Sequence, residues 1–324
     1  MLSRPDFVEK QVIFIESNNT NKIKLKNSNL VVLGEENKTI LQHPLSKIFL
    51  VFICGEFSIT SVLLRNARRY GIKIVFLNHS LRPYFSVSQQ NIGNFLLRKK
   101  QYHNDKELDM AKFVVKNKLL NQRALMNSLR YKTQKEKGSI RRMNYLLEDI
   151  STARDSSELL GIEGAAAKLY FSTYFKNMGF KKRTPRTKTD IINLLLDVGY
   201  YYLFNFIDAN LEIYGFDTYC GFYHKFFFQR KSLVCDLVEP FRCIIDRRVR
   251  KSFNLKQINK NDFGFGNGQY FIKRSFNKKY SRLFLKEILK FKEEIFLFIQ
   301  SFYRNFMKGH SVSEFPMFLV GGKK

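Results

Sequence analysis

Acidic residues are scarce in this 324-residue chain, which sets 28 Asp and Glu against 56 Lys and Arg for a net charge of +28 and a pI near 9.9. That imbalance favours a nucleic acid or another anionic surface as partner over acidic or purely small-molecule ones. Cysteine is sparse: Cys54, Cys220, Cys235 and Cys243 form no CxxC pair, so neither a zinc site nor a disulfide framework is expected. A reducing, cytoplasmic setting fits best. No apolar run approaches the roughly 20 residues of a membrane helix, so no membrane role is expected. The most apolar run, Ile48 to Cys54, reads as a buried strand. The first ten residues hold no long apolar stretch leading to a small-residue cleavage site, so the mature chain is expected to begin near Met1. P-loop, HExxH and GxSxG patterns are also missing, as are internal repeats and low-complexity segments.

What is present is apolar and aromatic. A hydrophobic content of 44%, with 33 Phe and 16 Tyr, excludes a disordered basic tail protein. The length suggests two domains, each able to bury a core. From Gln11 to about Val87, short runs rich in Val, Ile and Phe alternate with Asn, Gly and Pro, which predicts a β-rich first domain over residues 1–89. One helical window interrupts it, Ser58 to Tyr70, opened by Ser58 as cap and closed by Gly71, with Arg65, Arg68 and Arg69 on one side. After Gln89 the pattern turns to long 3.6-residue periods, predicting an all-helical second domain over residues 90–324, hence an α+β protein. Its windows include Asn91 to His103, Asp105 to Lys132, Asp190 to Tyr214, an amphipathic Ser232 to Val249 with Ser232 as N-cap, and Lys279 to Lys308. Residues 1–90 carry a net +6 and residues 91–324 a net +22, so the helical part supplies most of the electrostatic attraction. Lys181 to Lys188 (KKRTPRTK) reads as an exposed connection able to touch phosphate, Gly264 to Gly268 as a turn before a short β-like segment, and the final GGKK as a frayed tail.

With acids so few, those in apolar surroundings are informative. Glu163 lies in LLGIEGAAAKLYF with no partner at ideal helical spacing, since Lys168 is five residues on. It reads either as a helix N-terminal acid favoured by the macrodipole or as a carboxylate at a closely packed small-residue turn that needs a cation or metal. Asp236 and Glu239 stand at i and i+3, so a helix begun at Ser232 projects both from one face. Two like charges so placed become favourable when a divalent cation lies between them and further ligands. Hard carboxylates with an imidazole suit Mg²⁺ or Mn²⁺. Of the five histidines, His43, His79, His103, His224 and His310, only His224 lies in a motif with that acid pair. Glu163, His224 and the pair thus suggest a mixed carboxylate–imidazole metal site in a basic helical domain, a setting suited to phosphodiester chemistry.

Four ordered segments carry a specific resemblance: LLGIEGAAAKLYF, LLLDVGYYYL, GFDTYCGFYH and SLVCDLVEPFR, spanning Leu159 to Arg242. Together they closely resemble the universal CRISPR-associated spacer integrase, the first of the two Cas proteins found in nearly all adaptation modules. The resemblance implies that Glu163, His224 and Glu239 ligate the metal and that Asp236 is the nearby acid supporting catalysis. It implies a homodimer formed through the β-rich domain, with two dimers bridged by the small second Cas protein. The implied activity is metal-dependent integration of a short DNA duplex, the spacer precursor, into a CRISPR repeat by 3′-hydroxyl attack on a repeat-end phosphodiester, with nuclease activity on branched DNA beside it. Asp197 stands where the family commonly has Asn, and Cys243 where Pro is frequent. Lys225, Arg230, Arg242, Arg247 and Arg248 are nominated as phosphate contacts. The competing readings are a structure-specific repair nuclease cutting branched DNA and a non-catalytic basic DNA-binding scaffold.

Overall fold

The computed structural model describes residues 2–17, 22–88, 93–224 and 227–321. The short helix α1 (Arg4–Glu9), capped by Ser3, leads into strands β1 (Gln11–Glu16), β2 (Lys22–Lys26), β3 (Asn29–Leu33), β4 (Thr39–Pro44), β5 (Ile48–Cys54) and β6 (Ser58–Ile59). Helix α2 (Ser61–Arg69) then precedes β7 (Lys73–Leu77) and β8 (Pro83–Val87). Two four-stranded sheets result. One runs β1-β5-β7-β8, parallel except for β8, and the other runs β4-β3-β2-β6.

Every residue of β5 is buried because it has no solvent face. Val51 and Ile53 point into a core shared with Ile23, Leu30 and Val32 of the second sheet. Leu50, Phe52 and Cys54 point the other way, into the core of the helical region. There Phe52 meets Tyr202 edge-on at 4.8 Å and Phe7 stacks on Phe296 at 4.3 Å. Helix α2 begins later than its sequence suggests. Ser58 is spent on β6, which pairs with Lys22 and Ile23, and Thr60 caps the helix by accepting from Leu63 N.

Among the described residues the remainder is helical apart from one hairpin. It comprises α3 (Phe95–Tyr102), α4 (Glu107–Asn127), α5 (Gln134–Thr152), α6 (Ser156–Tyr174), α7 (Ile191–Tyr214), α8 (Ser232–Val238) and α9 (Arg242–Asn254). The hairpin β9 (Phe263–Gly266) and β10 (Gln269–Ile272) follows, then α10 (Asn277–Lys290) and α11 (Lys292–Lys308). Helix α7, capped by Asp190 and ended by Gly215 at φ +85°, is buried on nearly all sides and forms the axis around which α8 to α11 pack.

Two expected helices are divided. The Lys279 to Lys308 window breaks at Phe291, whose N–H turns back to the Ile288 carbonyl while its ring packs against Phe318 and under Arg247. Tertiary packing of one aromatic overrides an unbroken apolar period. The Ser232 to Val249 window breaks at Pro240, within a 3₁₀ turn over Glu239–Phe241. Ser232 is the first residue of α8 and fully buried, and no side chain caps that helix. The change of pattern placed at residues 89 and 90, the start of the Asn91 window and the last three residues of the tail lie outside the described residues. Among the described residues no helix is long and apolar enough to cross a membrane.

Candidate active site

Helix α6 starts at the Asp155 cap, whose carboxylate accepts from Ser157 N and Glu158 N, and carries Glu163 at mid-length. Glu163 is therefore not a helix N-terminal acid, and the macrodipole does not account for it. Nor is it at a packed turn: a Cβ on Gly161 or Gly164 would meet nothing within 4 Å. Its partners come from elsewhere in the fold. Lys118 of α4 donates to Oε1 at 2.5 Å and the Tyr223 hydroxyl donates to Oε2 at 2.5 Å.

The segment between α7 and α8 delivers His224. Its tight 222–224 turn is held by the fully buried Asp236, which accepts from the backbone N–H of Phe222 (2.6 Å), Tyr223 (3.1 Å) and His224 (2.9 Å). The same carboxylate takes the imidazole Nδ1 at 2.6 Å. Because a carboxylate can only accept here, Nδ1 carries the proton and the Nε2 lone pair is left for another partner. Asp236 thus stands behind His224 and organises it. An ion cluster holds the base of the segment from the other side: Lys231 lies 2.7 Å from Asp208 and 3.4 Å from Glu212 of α7, both of which also meet the buried Lys73 of β7.

Glu239 occupies the 3₁₀ turn after α8, 4% exposed. Its Oε1 accepts from Arg242 Nε at 2.9 Å, and its Oε2 lies 2.7 Å from Lys118 Nζ in ion-pair contact but outside hydrogen-bond geometry. Burial works against its negative charge, yet Arg242 and Lys118 outweigh it and hold the carboxyl below the usual range. Likewise burial disfavours the Lys118 ammonium, but Glu239 and Glu163 more than compensate and raise its pKa. The turn is fixed by Asn121 of α4, which donates to the Pro240 carbonyl (3.1 Å) and the Phe318 carbonyl (2.8 Å). So Asp236 and Glu239 do not share a site as a bare acid pair: one faces His224, the other faces two cations.

The structure therefore gathers Glu163, His224, Asp236 and Glu239 from three separate segments. It adds three residues that sequence reasoning missed, Lys118, Tyr223 and Asn121. Tyr223 lies within the GFDTYCGFYH segment, but the only signal of Lys118 and Asn121 is polarity within the apolar VVKNKLLNQ of α4, where nothing distinguishes Lys118 from the exposed Lys116. The nominated phosphate contacts are placed variously. Arg242 is drawn inward to Glu239 and over the Tyr200 ring (4.5 Å). Arg247 pairs with Glu287 at 3.2 Å, and Arg248 reaches Gln257. Arg230 lies over the exposed Phe227 ring at 5.8 Å. Lys225 lies outside the described residues. The Lys181 to Lys188 connection is pinned rather than loose: Arg183 donates to Asn193 and pairs with Asp197, which also accepts from Arg186 N. Lys181, Lys182 and Arg186 stay exposed.

The donor chemistry of this cluster fits a divalent ion. Glu163 and Glu239 offer hard oxygens, one of them a buried Oε2 with spare acceptor capacity, and His224 offers Nε2. Among the described residues no three His, Cys, Asp or Glu side chains already converge in ligating geometry, since Lys118 stands between the two glutamates. A groove of about 620 Å³ between α4, α5 and residues 311–317, lined by Phe113, Leu147, Ile150 and Met317, contains none of these acids.

Comparison with known proteins bears on this arrangement. A family model described as CRISPR associated protein Cas1 matches residues 14–286. A CRISPR-associated endonuclease Cas1 from Thermodesulfovibrio yellowstonii is 32% identical over 255 residues, covering 74% of this chain and 80% of its own. Among solved structures, a chain of a Cas6-RT-Cas1–Cas2 complex superposes with a TM-score of 0.81 at 21% identity, over 96% of this chain and 36% of that longer one. A casposase bound to integration product superposes with a TM-score of 0.80 at 18% identity, over 97% and 96% of the two chains. At these identities the two structures share the fold with this chain.

Proposed function

The chain belongs to the CRISPR-associated Cas1 family, and from that premise we propose that it is a metal-dependent DNA integrase and endonuclease of spacer acquisition. The observation that carries the reading is that Glu163 and Glu239 meet at Lys118 while the neighbouring Tyr223–His224 segment, held by Asp236, contacts Glu163, in a chain of net charge +28. The reaction is an exchange of phosphodiesters. A 3′-hydroxyl of the incoming duplex gives up its proton as its oxygen bonds to phosphorus at a repeat end, the existing P–O bond breaks, and the departing oxygen takes up a proton. One phosphodiester is lost for each formed, so no energy-rich cofactor is consumed. With water as nucleophile the same site cuts DNA.

Each residue has a defined task. Glu163, His224 and Glu239 hold the Mg²⁺ or Mn²⁺ ion, which supplies Lewis-acid polarisation of the phosphoryl oxygens when bound. Asp236 keeps Nδ1 protonated so that His224 presents a neutral Nε2, and it fixes the turn carrying that ring. Tyr223 orients Glu163 through its hydroxyl. Arg230, Arg248, Lys225 and the exposed bases of the Lys181 to Lys188 connection provide phosphate contacts, while Arg242 and Arg247 act mainly within the protein. Residues 1–89 form the dimerising domain and residues 90–324 the catalytic one. The small second Cas protein is the bridging partner, an assignment supported by the fold shared with a chain of the Cas6-RT-Cas1–Cas2 complex.

The test is a joining assay with a short duplex bearing free 3′-hydroxyls and a supercoiled plasmid carrying the repeat, in Mg²⁺ or Mn²⁺, with and without the small Cas partner. Covalent duplex–plasmid products are expected, lost in Glu163→Ala, in His224→Ala and with chelator. Metal-dependent cutting of branched DNA without joined product would replace integration with a repair nuclease, and retained DNA binding with no chemistry would leave a scaffold.

A further inference from the structure

Lys118 belongs to none of the four motifs, yet its Nζ lies 2.5 Å from Glu163 Oε1 and 2.7 Å from Glu239 Oε2. The three side chains come from α4, α6 and the turn after α8, so the contact is made only by the tertiary fold. All are largely buried, with side-chain exposures of 14%, 13% and 4%. Two buried carboxylates aimed at one point repel unless a cation sits there. Lys118 meets that need, and it does so from the point towards which both proposed glutamate ligands aim.

Charge balance decides whether ammonium and metal can coexist. The carboxylates of Glu163 and Glu239 face the cations of Lys118 and Arg242, which already balance them. A divalent ion added to both cations would leave this buried cluster with a net positive charge. The same ion exchanged for Lys118 halves that excess. Arg242 is held by Glu239 Oε1 and the Tyr200 ring, whereas Lys118 is a point charge on a flexible four-carbon stem and the easier one to move.

Resting on the metal reading above, we infer that Lys118 is the resident counter-ion of the Glu163–Glu239 pair and that a divalent ion binds by displacing it, so that Lys118 sets the ion's affinity. Lys118 is then a positioning residue, which keeps the two carboxylates together before the ion arrives and yields to it afterwards.

The experiment is Mn²⁺ binding to metal-stripped, full-length protein, followed by the electron paramagnetic resonance signal of free Mn²⁺. Lys118→Met is expected to bind Mn²⁺ about tenfold more tightly than the wild type, within the usual range of coupling between two ligands. Glu163→Gln is expected to lose the binding. A second arm uses the unmutated chain, so that misfolding of the variant cannot hide the answer. Acetylation of Lys118 by an amine-reactive reagent, read by mass spectrometry against the exposed Lys116, is expected to rise several-fold when Mn²⁺ is added. Equal or weaker Mn²⁺ binding by Lys118→Met, or unchanged Lys118 labelling while Mn²⁺ binds, overturns the displacement alone. No Mn²⁺ binding by the wild type and Lys118→Met overturns the metal reading together with it.

Discussion

Gly221 shows how little space the candidate site allows behind its imidazole. A Cβ built there would lie 2.7 Å from Asp236 Oδ2 and 2.7 Å from the Ser232 carbonyl carbon, closer than real side chains approach. Gly221→Ala should therefore push the 222–224 turn off Asp236 and misorient His224. We expect at least about a hundredfold loss of joining, the scale of a roughly 1 Å misplacement, with circular dichroism and DNA binding little changed. Asp246 gives a second prediction at this scale. It is 1% exposed, accepts from the Tyr170 and Tyr200 hydroxyls, and burial pushes its carboxyl from the ordinary 3.8 up to about 6 despite those bonds and the nearby Arg242 and Arg183. A folded-state value above the unfolded one means the native protein binds the extra proton, so this group's contribution is complete below about pH 4 and is lost as pH rises through about 6. Thermal unfolding from pH 4 to 7 should show Asp246→Asn gaining in Tm relative to the wild type; parallel curves would contradict the assignment.

Helices α7, α9 and α10 meet at Gly199. A Cβ there would overlap the Ile245 Cγ2 methyl and lie 3.0 Å from the Phe284 ring, and both side chains are fully buried. Ala favours a helix over Gly by about 1 kcal/mol. Overpacking a filled core costs about 1–3 kcal/mol, and here two buried partners must move, so the clash wins. Gly199→Ala should lower the urea midpoint and weaken catalysis, because α7 carries Asp208 and Glu212, which hold Lys231 at the base of the His224 segment. Element boundaries also mark where local pattern stops being informative. The α7 window was legible from Asp190 to Tyr214 because its cap, its apolar content and Gly215 agree. The break at Phe291 was not, because it is set by contacts with Arg247 and Phe318, which lie 44 residues back and 27 ahead in the chain.

At the scale of the molecule, net charge and fold act together. Most of the excess charge is on residues 91–324, the part that also carries the acid cluster, so that part attracts an anionic backbone to the region where the chemistry is proposed. Binding should then be strongly salt-dependent: with about 6–10 phosphate contacts, affinity falls about 10³ to 10⁵-fold between about 50 and 200 mM salt. A titration of duplex binding against salt that stayed flat would contradict an electrostatic partner. Much of this was legible in the chain alone. Charge excess pointed to nucleic acid, the β5 run to a strand without a solvent face, and the four ordered motifs to the family, because composition, short-range periodicity and motif order are all properties of the chain itself. The partners of the acids were not legible. Whether Glu163 was a dipole-stabilised helix start or half of a cation site depended on α4 packing against α6, which brings Lys118 from 45 residues away, and on a loop that brings Tyr223 from 60. Buried charge is satisfied by what lies near in space, and no local pattern reports which distant cation the packed fold will place there.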